Sequence, residues 1–227
     1  NVVVIVPSCD RVNFWNAINP TQILSSSEDN IQSGIDRLRK GELVGLTILV
    51  NKYDGIDLPD DACRMLFIDG FPSIRSEYDL VIQGMNPNDN RLCREQIQKI
   101  EQGMGRGVRS NNDYSSIVLM GEKLADVIVN QHGKDFFSSA TLEQWNLSQQ
   151  LWDQLMEKTL NPTIEDIFGL TKYIFKRDQE WITASKSILS NVVYNKSGNV
   201  DSLVLAMRRA FEKECLENYE ESFSIIL

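Results

Sequence analysis

The first 120 residues alternate short apolar runs with longer segments of helical periodicity. Apolar runs of this length, rich in β-branched residues, are typical of strands buried on both faces of a parallel sheet. The predicted strands occupy residues 2–6, 23–24, 46–50, 64–69 and 114–120. The predicted helices occupy residues 11–18, 28–40 and a stretch that begins near Arg91. The alternation predicts an α/β fold with a mostly parallel sheet flanked by helices.

Two later parts of the pattern differ from this alternation. Residues 73–90 contain Pro87 and show no clear period, so we predict an irregular segment there. From about Asp135 onward there are few glycines and no strand-like alternation, and apolar residues recur at helical spacing. Four such stripes lie at residues 145–156, 164–174, 181–192 and 200–223. We therefore predict an α/β domain over residues 1–132 and an all-helical C-terminal region over residues 133–227.

Charge and hydropathy restrict the location and the partners of the chain. Its formal net charge is −9, so bulk electrostatics do not favour nucleic acid, and any such contact must be local. No run of 18 apolar residues and no signal peptide is present, so we expect a cytoplasmic chain that does not enter a membrane. The opening at Asn1 directly before a strand leads us to expect a piece of a longer polypeptide.

Cysteine and histidine chemistry is weakly represented. The four cysteines form no CxxC pair and are scattered, which argues against a zinc or iron–sulfur site and favours buried apolar residues in a reducing compartment. They are Cys9, Cys63, Cys93 and Cys215. The single histidine, His132, lies in a loop-like NQHGK segment, where a catalytic role is not expected.

The most informative stretch is EQGMGRGVRS at residues 101–110. Three interleaved glycines are a poor choice for a plain helix, so either another group approaches this backbone closely or the helix ends here. A helical path would put Gln102, Arg106 and Arg109 on one face. The guanidinium fork of arginine matches phosphate oxygens, so the pair favours a polyphosphate ligand.

Polar residues also follow the predicted strands at their carboxyl ends, where ligands of open α/β sheets bind. Ser8 follows the first strand, either as a phosphate or backbone contact or as a helix cap. Asn51, Lys52 and Tyr53 follow the third strand and begin a long acidic turn.

These segments resemble the conserved motifs of superfamily 2 helicases. Residues 102–109 match the QxxGRxxR pattern of motif VI at every defining position, and YDGIDLP at residues 53–59 looks like motif V. Residues 2–10 are similar to motif IV, and GIDLP followed by RMLFIDGFP is closest to the DinG/XPD branch. The chain lacks the aspartate-rich DxR that this branch usually carries after motif VI.

The resemblance implies that residues 1–132 form the second RecA-like domain of a helicase core. It implies that Arg106 and Arg109 are arginine fingers and that Gln102, Gly105, Gly55 and Asp57 help to bind ATP. Asp57 would bond the ribose hydroxyl or orient an arginine, although a turn or cap carboxylate is the alternative.

The resemblance also implies partners that this chain does not supply. Ser8 and the turn at residues 51–53 would contact a DNA or RNA backbone. The sequence contains no GxxxxGK[ST] loop and no acidic metal-binding box. The phosphate cradle and the Mg²⁺ ligands would therefore lie on an upstream N-terminal RecA-like domain, and no iron–sulfur cluster is expected here.

Two other functions remain open at this point. The chain could be a helicase-like scaffold or nucleic-acid-binding module without turnover, although its intact arginine pair argues against degeneracy. It could also be an unrelated α/β nucleotide-binding enzyme. The order of the three motifs along the chain argues against that alternative.

Overall fold

The computed structural model of the chain describes residues 1–18, 22–24, 28–42, 45–58, 60–72, 76–85, 90–107, 113–193 and 202–226. The chain forms two compact units, Asn1–Val192 and Val193–Leu227. The functional boundary after residue 132 stays a prediction. Of the helices described, none is long and apolar enough to cross a membrane.

A parallel sheet forms the centre of the first unit. Its described strands are β1 (Val2–Val6), β2 (Gln22–Leu24), β3 (Leu46–Val50), β4 (Met65–Asp69) and β5 (Ser116–Met120). They lie in the order β2-β3-β1-β4-β5, and every pairing between them is parallel. The predicted strands are thus confirmed. Strand β2 starts one residue earlier than predicted, β4 starts one residue later, and β5 starts two residues later.

Alternation along β1 explains why the sheet is covered on both faces. Val3 and Ile5 belong to the larger hydrophobic cluster, whereas Val4 and Val6 belong to a second cluster on the opposite face. All four side chains are fully buried. Helices cover both faces, which confirms the predicted α/β class.

Five helices accompany the strands within the described residues. They are α1 (Cys9–Ile18), α2 (Glu28–Arg39), α3 (Glu77–Met85), α4 (Arg91–Met104) and α5 (Glu122–Ala125). Helices α2 and α4 contribute Ile35, Leu38, Ile97 and Ile100 to the larger cluster, while α1 contributes Val12 and Trp15 to the smaller one. A π-helical turn, Asp126–Asn130, follows α5 directly.

Helix α3 corrects the predicted irregular segment at residues 73–90. Its sequence, EYDLVIQGM, contains no proline, and Pro87 lies beyond its end. Glu77 and Asp79 in the first turn suit the positive end of a helix. Tyr78, Leu80, Val81 and Met85 are exposed, so the apolar side chains that the structure describes in this helix form no buried stripe.

Three helices complete the first unit: α6 (Ser139–Lys158), α7 (Ile164–Phe175) and α8 (Gln179–Ser190). Helix α6 is joined to α4 through Glu101, whose carboxylate accepts hydrogen bonds from the Ser138 and Thr141 hydroxyls and from the Ser138 amide at 3.2 Å. Trp145 packs against the larger cluster, with its ring centroid 6.4 Å from that of Phe137. The α7–α8 turn places the Arg177 guanidinium carbon 4.8 Å from the centroid of Tyr114.

The second unit contains a pair of helices, α9 (Ser202–Cys215) and α10 (Tyr219–Ile226), where the apolar pattern predicted one long helix. The break occurs because Glu217 adopts a left-handed φ of 59°. The Asn218 amide donates to the Lys213 carbonyl, and the Asn218 side chain accepts from the Glu221 amide at the start of α10. The predicted helical character of the C-terminal region is confirmed, but its last element is a helical hairpin.

Candidate nucleotide and nucleic-acid site

The loop after β3 and the end of α4 meet at the carboxyl edge of the sheet. The Arg106 side chain donates from Nε to the Tyr53 carbonyl at 3.1 Å and from Nη1 to the Ile56 carbonyl at 3.0 Å. In return, the Leu58 amide donates to the Arg106 carbonyl at 3.3 Å. The two segments that resemble motifs V and VI are therefore held together by three hydrogen bonds.

Gly103 and Gly105, at the end of α4, differ in what surrounds them. Helix α4 ends at Met104, and residues Gly105–Gly107 continue as a 3-10 turn. At Gly103, a Cβ atom would lie 3.1 Å from Tyr53 Cδ1 and 3.4 Å from Ile68 Cδ1, so the core approaches the helix closely there. At Gly105, a Cβ atom would meet nothing within 4 Å, and its φ of −68° suits any residue. The packing of the described residues thus favours glycine at Gly103 and leaves Gly105 unexplained.

The helix ends before the predicted arginine pair, and the structure describes only the first of the two arginines. Gln102 and Gly105 are exposed, and Arg106 is half-buried against the loop. Arg109 lies outside the described residues, so its predicted place on the same face is not addressed by the structure. The change from α-helix to 3-10 turn at Gly105 means that the spacing of an ideal helix does not extend through Arg106.

Gly55 and Asp57 lie in the loop that Arg106 holds. Gly55 is exposed and has a φ of +70°, a left-handed conformation that favours glycine. The Asp57 carbonyl accepts a hydrogen bond from Arg39 Nε at 3.1 Å, and its carboxylate lies 3.8 Å from Arg39 Nη2. Arg39 of α2 therefore fixes the far end of the loop, a contact that sequence spacing did not indicate.

The predicted nucleic-acid contacts occupy the same edge but differ in exposure. Ser8 is half-buried and immediately precedes α1, so a contact role and a cap role both stay open. Asn51 and Lys52 are half-buried, and the Asn51 amide donates to the Val6 carbonyl at 2.7 Å, which ties the loop to the end of β1. The Tyr53 side chain is buried in the larger cluster, so at the surface of the loop this residue offers only its backbone.

A buried carboxylate at this edge escaped sequence reasoning. Asp69, the last residue of β4, is fully buried and accepts hydrogen bonds at 2.7 Å from Arg11 Nε and from Trp15 Nε1. The signal was available in the sequence, because Asp69 is a charged residue at the end of an otherwise apolar strand, directly before Gly70. Its partners could not be assigned, since they lie more than fifty residues earlier in α1.

The described part of the chain contains no cluster of three or more potential metal ligands, so its cysteines and its histidine are not part of one. Cys63 is buried, and burial raises the pKa of its thiol to about 11, which keeps it protonated at neutral pH. Cys9 and Cys215 are exposed, which corrects the expectation that all four cysteines are buried. His132 is exposed in a left-handed conformation between two helical turns, as a loop residue.

The parallel sheet, its helices on both faces and the joined loops at its carboxyl edge define a RecA-like α/β domain. A family model described as the helicase C-terminal domain matches residues 16–140, which is more than half of the chain, and the chain belongs to this family. The match includes the β3 loop and the α4 end, and it is consistent with the DinG/XPD branch. No curated protein matches the chain. Membership supports a helicase-related role and a general interaction with nucleic acid.

Proposed function

We propose that this chain is the C-terminal half of an ATP-dependent DNA or RNA helicase or translocase. It would supply Arg106 and Arg109 to an ATP site shared with an N-terminal RecA-like domain of the same polypeptide. The observation that carries the proposal is the set of hydrogen bonds by which Arg106 holds the β3 loop against the end of α4. This contact joins two segments, each of which resembles a nucleotide-responsive helicase motif.

The residues present fit half of a nucleotide site. Gly105 is exposed and has open space where a side chain would stand, so a ligand or a second domain could approach its backbone closely. Gln102 is exposed one helical turn earlier and could hold the nucleotide or a water molecule. Asp57, held by Arg39 at the other end of the loop, is the candidate for a ribose hydroxyl. The phosphate cradle and the Mg²⁺ ligands would come from the other domain.

Bound ATP would supply the phosphoanhydride bond that is hydrolysed. Negative charge develops on the phosphoryl oxygens in such a reaction. Preorganised arginines stabilise this charge and raise the hydrolysis rate by about 10³- to 10⁵-fold. Arg106 uses Nε and Nη1 to hold the loop, while Nη2 makes no hydrogen bond to the described residues. Arg106 can thus link loop position to the charge of a nucleotide, and Arg109 is the candidate for direct contact.

Movement along nucleic acid would follow from an open and a closed state of the cleft between this domain and the proposed N-terminal RecA-like domain. Arginine contacts favour the closed cleft while the γ-phosphate is present, and hydrolysis removes that preference. Because Arg106 binds the loop that begins at Asn51, the position of α4 would be transmitted to Asn51 and Lys52. Tyr53 would contribute by anchoring the loop in the core, since its side chain is buried.

The first test is ATP hydrolysis by the complete polypeptide. We expect Arg106→Ala and Arg109→Ala each to lower the rate by about 10³-fold or more, with unchanged thermal unfolding for Arg109→Ala. Arg208→Ala is the matched control, because Arg208 is 78% exposed in α9 and its ion pair with Glu212 lies within the same helix. Residues 1–227 alone should show no hydrolysis, and clear turnover by this chain would contradict a shared site.

A non-catalytic helicase-like module is the second candidate. The two bonds from Arg106 to backbone carbonyls of its own domain are also what a purely structural arginine would make. Near-normal hydrolysis in the Arg106→Ala and Arg109→Ala polypeptides would remove both from catalysis. No nucleotide hydrolysis by the unmodified polypeptide, together with retained nucleic-acid binding, would favour the module.

A further inference from the structure

Residues 133–141 pack along one face of α4. This segment consists of a 3-10 turn, Gly133–Phe136, and the residues that begin α6. It meets α4 at Arg94, Ile97 and Glu101. These three positions are spaced i, i+3 and i+7, so they share a face of the helix. The 133–141 segment therefore follows α4 for about two turns and reaches its last turn.

The first two meeting points are packing contacts. The Arg94 guanidinium carbon lies 5.3 Å from the centroid of the Phe136 ring. A Cβ atom at Gly133 would lie 3.2 Å from Ile97 Cδ1, so the backbone of the turn fits against the helix with little room for a side chain. These contacts place the 133–141 segment on α4, but they lie about two turns or more before the helix ends.

The third meeting point is a cluster of hydrogen bonds to Glu101. Its carboxylate accepts from the Ser138 and Thr141 hydroxyls, and from the Ser138 amide at 3.2 Å. Ser138 is the N-cap of α6, so the carboxylate lies at the positive end of that helix. Glu101 itself belongs to the last turn of α4, where a negative charge is unfavourable for its own helix. The position of this carboxylate is thus explained by α6 and not by α4.

Glu101 is close in sequence to the arginine that holds the β3 loop. It lies five residues before Arg106 and three before Met104, where α4 ends. The bonds from Arg106 to the loop carbonyls measure 3.1 and 3.0 Å. A displacement of the helix end by about 1 Å would take both beyond hydrogen-bond length. A contact that fixes the end of α4 therefore also fixes Arg106.

We propose that Glu101 is a positioning residue for nucleotide hydrolysis, which holds Arg106 in place by joining the end of α4 to the start of α6. This role rests on the proposed function. Glu101 would not touch the nucleotide, and its effect would pass through Arg106. Because the attachment consists of directed hydrogen bonds, it fixes both distance and orientation. A movement of α6 would be passed to Arg106 through the same bonds.

The test measures steady-state and single-turnover hydrolysis of ATP by the complete polypeptide. Glu101→Ala removes the attachment, whereas Glu101→Gln keeps the side-chain length and one oxygen that can accept from the two hydroxyls. Thr141→Val removes a donor from the α6 side with little change of shape. Glu95→Ala is the matched control, because Glu95 is an exposed carboxylate whose ion pair with Arg91 lies within α4. Thermal unfolding of each variant checks that the fold is retained.

We expect Glu101→Ala to lower kcat by about 10- to 100-fold and to leave KM near its original value, because a misplaced arginine is lost from the transition state. Glu101→Gln and Thr141→Val should lower kcat less, and Glu95→Ala should not lower it. In the Arg106→Ala polypeptide the loss caused by Glu101→Ala should disappear, since effects that pass through one group do not add.

Hydrogen exchange gives a readout that does not depend on hydrolysis. The Leu58 amide donates to the Arg106 carbonyl, so its exchange should become faster in Glu101→Ala, while exchange in β1 stays constant. An unchanged exchange rate at Leu58 would overturn the positioning role.

Two results of the hydrolysis assay would also overturn the positioning role and leave the proposed function standing. One is normal kcat in folded Glu101→Ala when Arg106→Ala is impaired. The other is an equal loss from Glu101→Ala with and without Arg106. Near-normal hydrolysis in Arg106→Ala would instead contradict the proposed function together with the role that rests on it.

Discussion

The sheet and the helices that follow it are stabilised in different ways. Strand β1 has four fully buried residues in succession, whereas α6, α7 and α8 contain no buried residue at all. Those helices leave large apolar side chains exposed, among them Trp152, Met156, Ile164, Phe168 and Tyr173. The sheet is therefore held by contacts that are distant in sequence, while α7 and α8, which bury no residue, gain a larger share of their stability from their own ends.

The helix ends show this local stabilisation directly. Thr163 and Asp166 form a capping box at the start of α7, and Asp178 accepts from the Glu180 and Trp181 amides at the start of α8. At the carboxyl edge of the sheet, by contrast, Arg11 and Asp69 meet across 58 residues of chain. Ligand-binding geometry needs the second kind of rigidity, which explains why the candidate site lies on the sheet edge.

The largest expected effect compares the same substitution in the two regions. Ile68 in β4 is fully buried and Ile164 at the start of α7 is 68% exposed. Ile68→Ala should lower the free energy of unfolding by about 2–5 kcal/mol, because it removes buried methylene groups and leaves a cavity. Ile164→Ala should change it by about 0.5 kcal/mol or less.

Urea unfolding followed by circular dichroism measures both values. A loss at Ile164 as large as that at Ile68 would show that α7 is packed in solution in a way the structure does not record. The comparison between the regions would then fail.

The next effect compares two glycines within the candidate site. Gly103→Ala places a Cβ atom 3.1 Å from Tyr53 Cδ1 in the core, so we expect a loss of about 1–3 kcal/mol despite the better helix propensity of alanine. Gly105→Ala meets no atom, so stability should stay constant or rise by about 0.4–1 kcal/mol.

Nucleotide hydrolysis by the complete polypeptide separates packing from function at these positions. We expect Gly105→Ala to reduce hydrolysis without loss of stability, because a ligand or second domain must approach that backbone. Unchanged hydrolysis in Gly105→Ala would contradict a nucleotide site at this helix end.

The smallest effect concerns acid and the capping of α7. The Thr163 amide, and then its hydroxyl, donate to Asp166 at 2.9 and 2.8 Å, and these bonds lower the pKa of that carboxyl. The stabilisation is complete above the ordinary carboxyl pKa of about 3.9, and it is lost as pH falls through the lower folded value. Carboxyl NMR titration should show the lowered pKa, and Thr163→Ala should raise it towards the ordinary value.

Thr163→Ala should also destabilise α7 by about 1 kcal/mol, as loss of an N-cap does. Thr171→Ala is the matched control, because its hydroxyl donates to the Phe168 carbonyl one turn earlier in the same helix. An Asp166 pKa that does not respond to Thr163→Ala would show that the capping box is not formed in solution.

Sequence patterns predicted the elements whose signals are local. Strands β1 and β3 appear at their predicted residues because a continuous β-branched run has few alternatives. Helix α3 was missed, and the apolar side chains that the structure describes in it, such as Tyr78 and Met85, are exposed and do not form a buried stripe. The last long helix was wrong because an apolar stripe continues across Glu217, where the backbone turns left-handed and Asn218 starts a new helix.

The candidate site likewise divides into features that the sequence determined and features that only the tertiary structure decided. Sequence alone determined the identity of the residues in the β3 loop and the α4 end, and the order of the motifs that indicates a helicase domain. Only the tertiary structure decided that Arg106 binds the Tyr53 and Ile56 carbonyls and that Arg11 is fixed by Asp69. The physical reason is that strand and helix signals repeat within a few residues, whereas these bonds join groups about fifty or more residues apart.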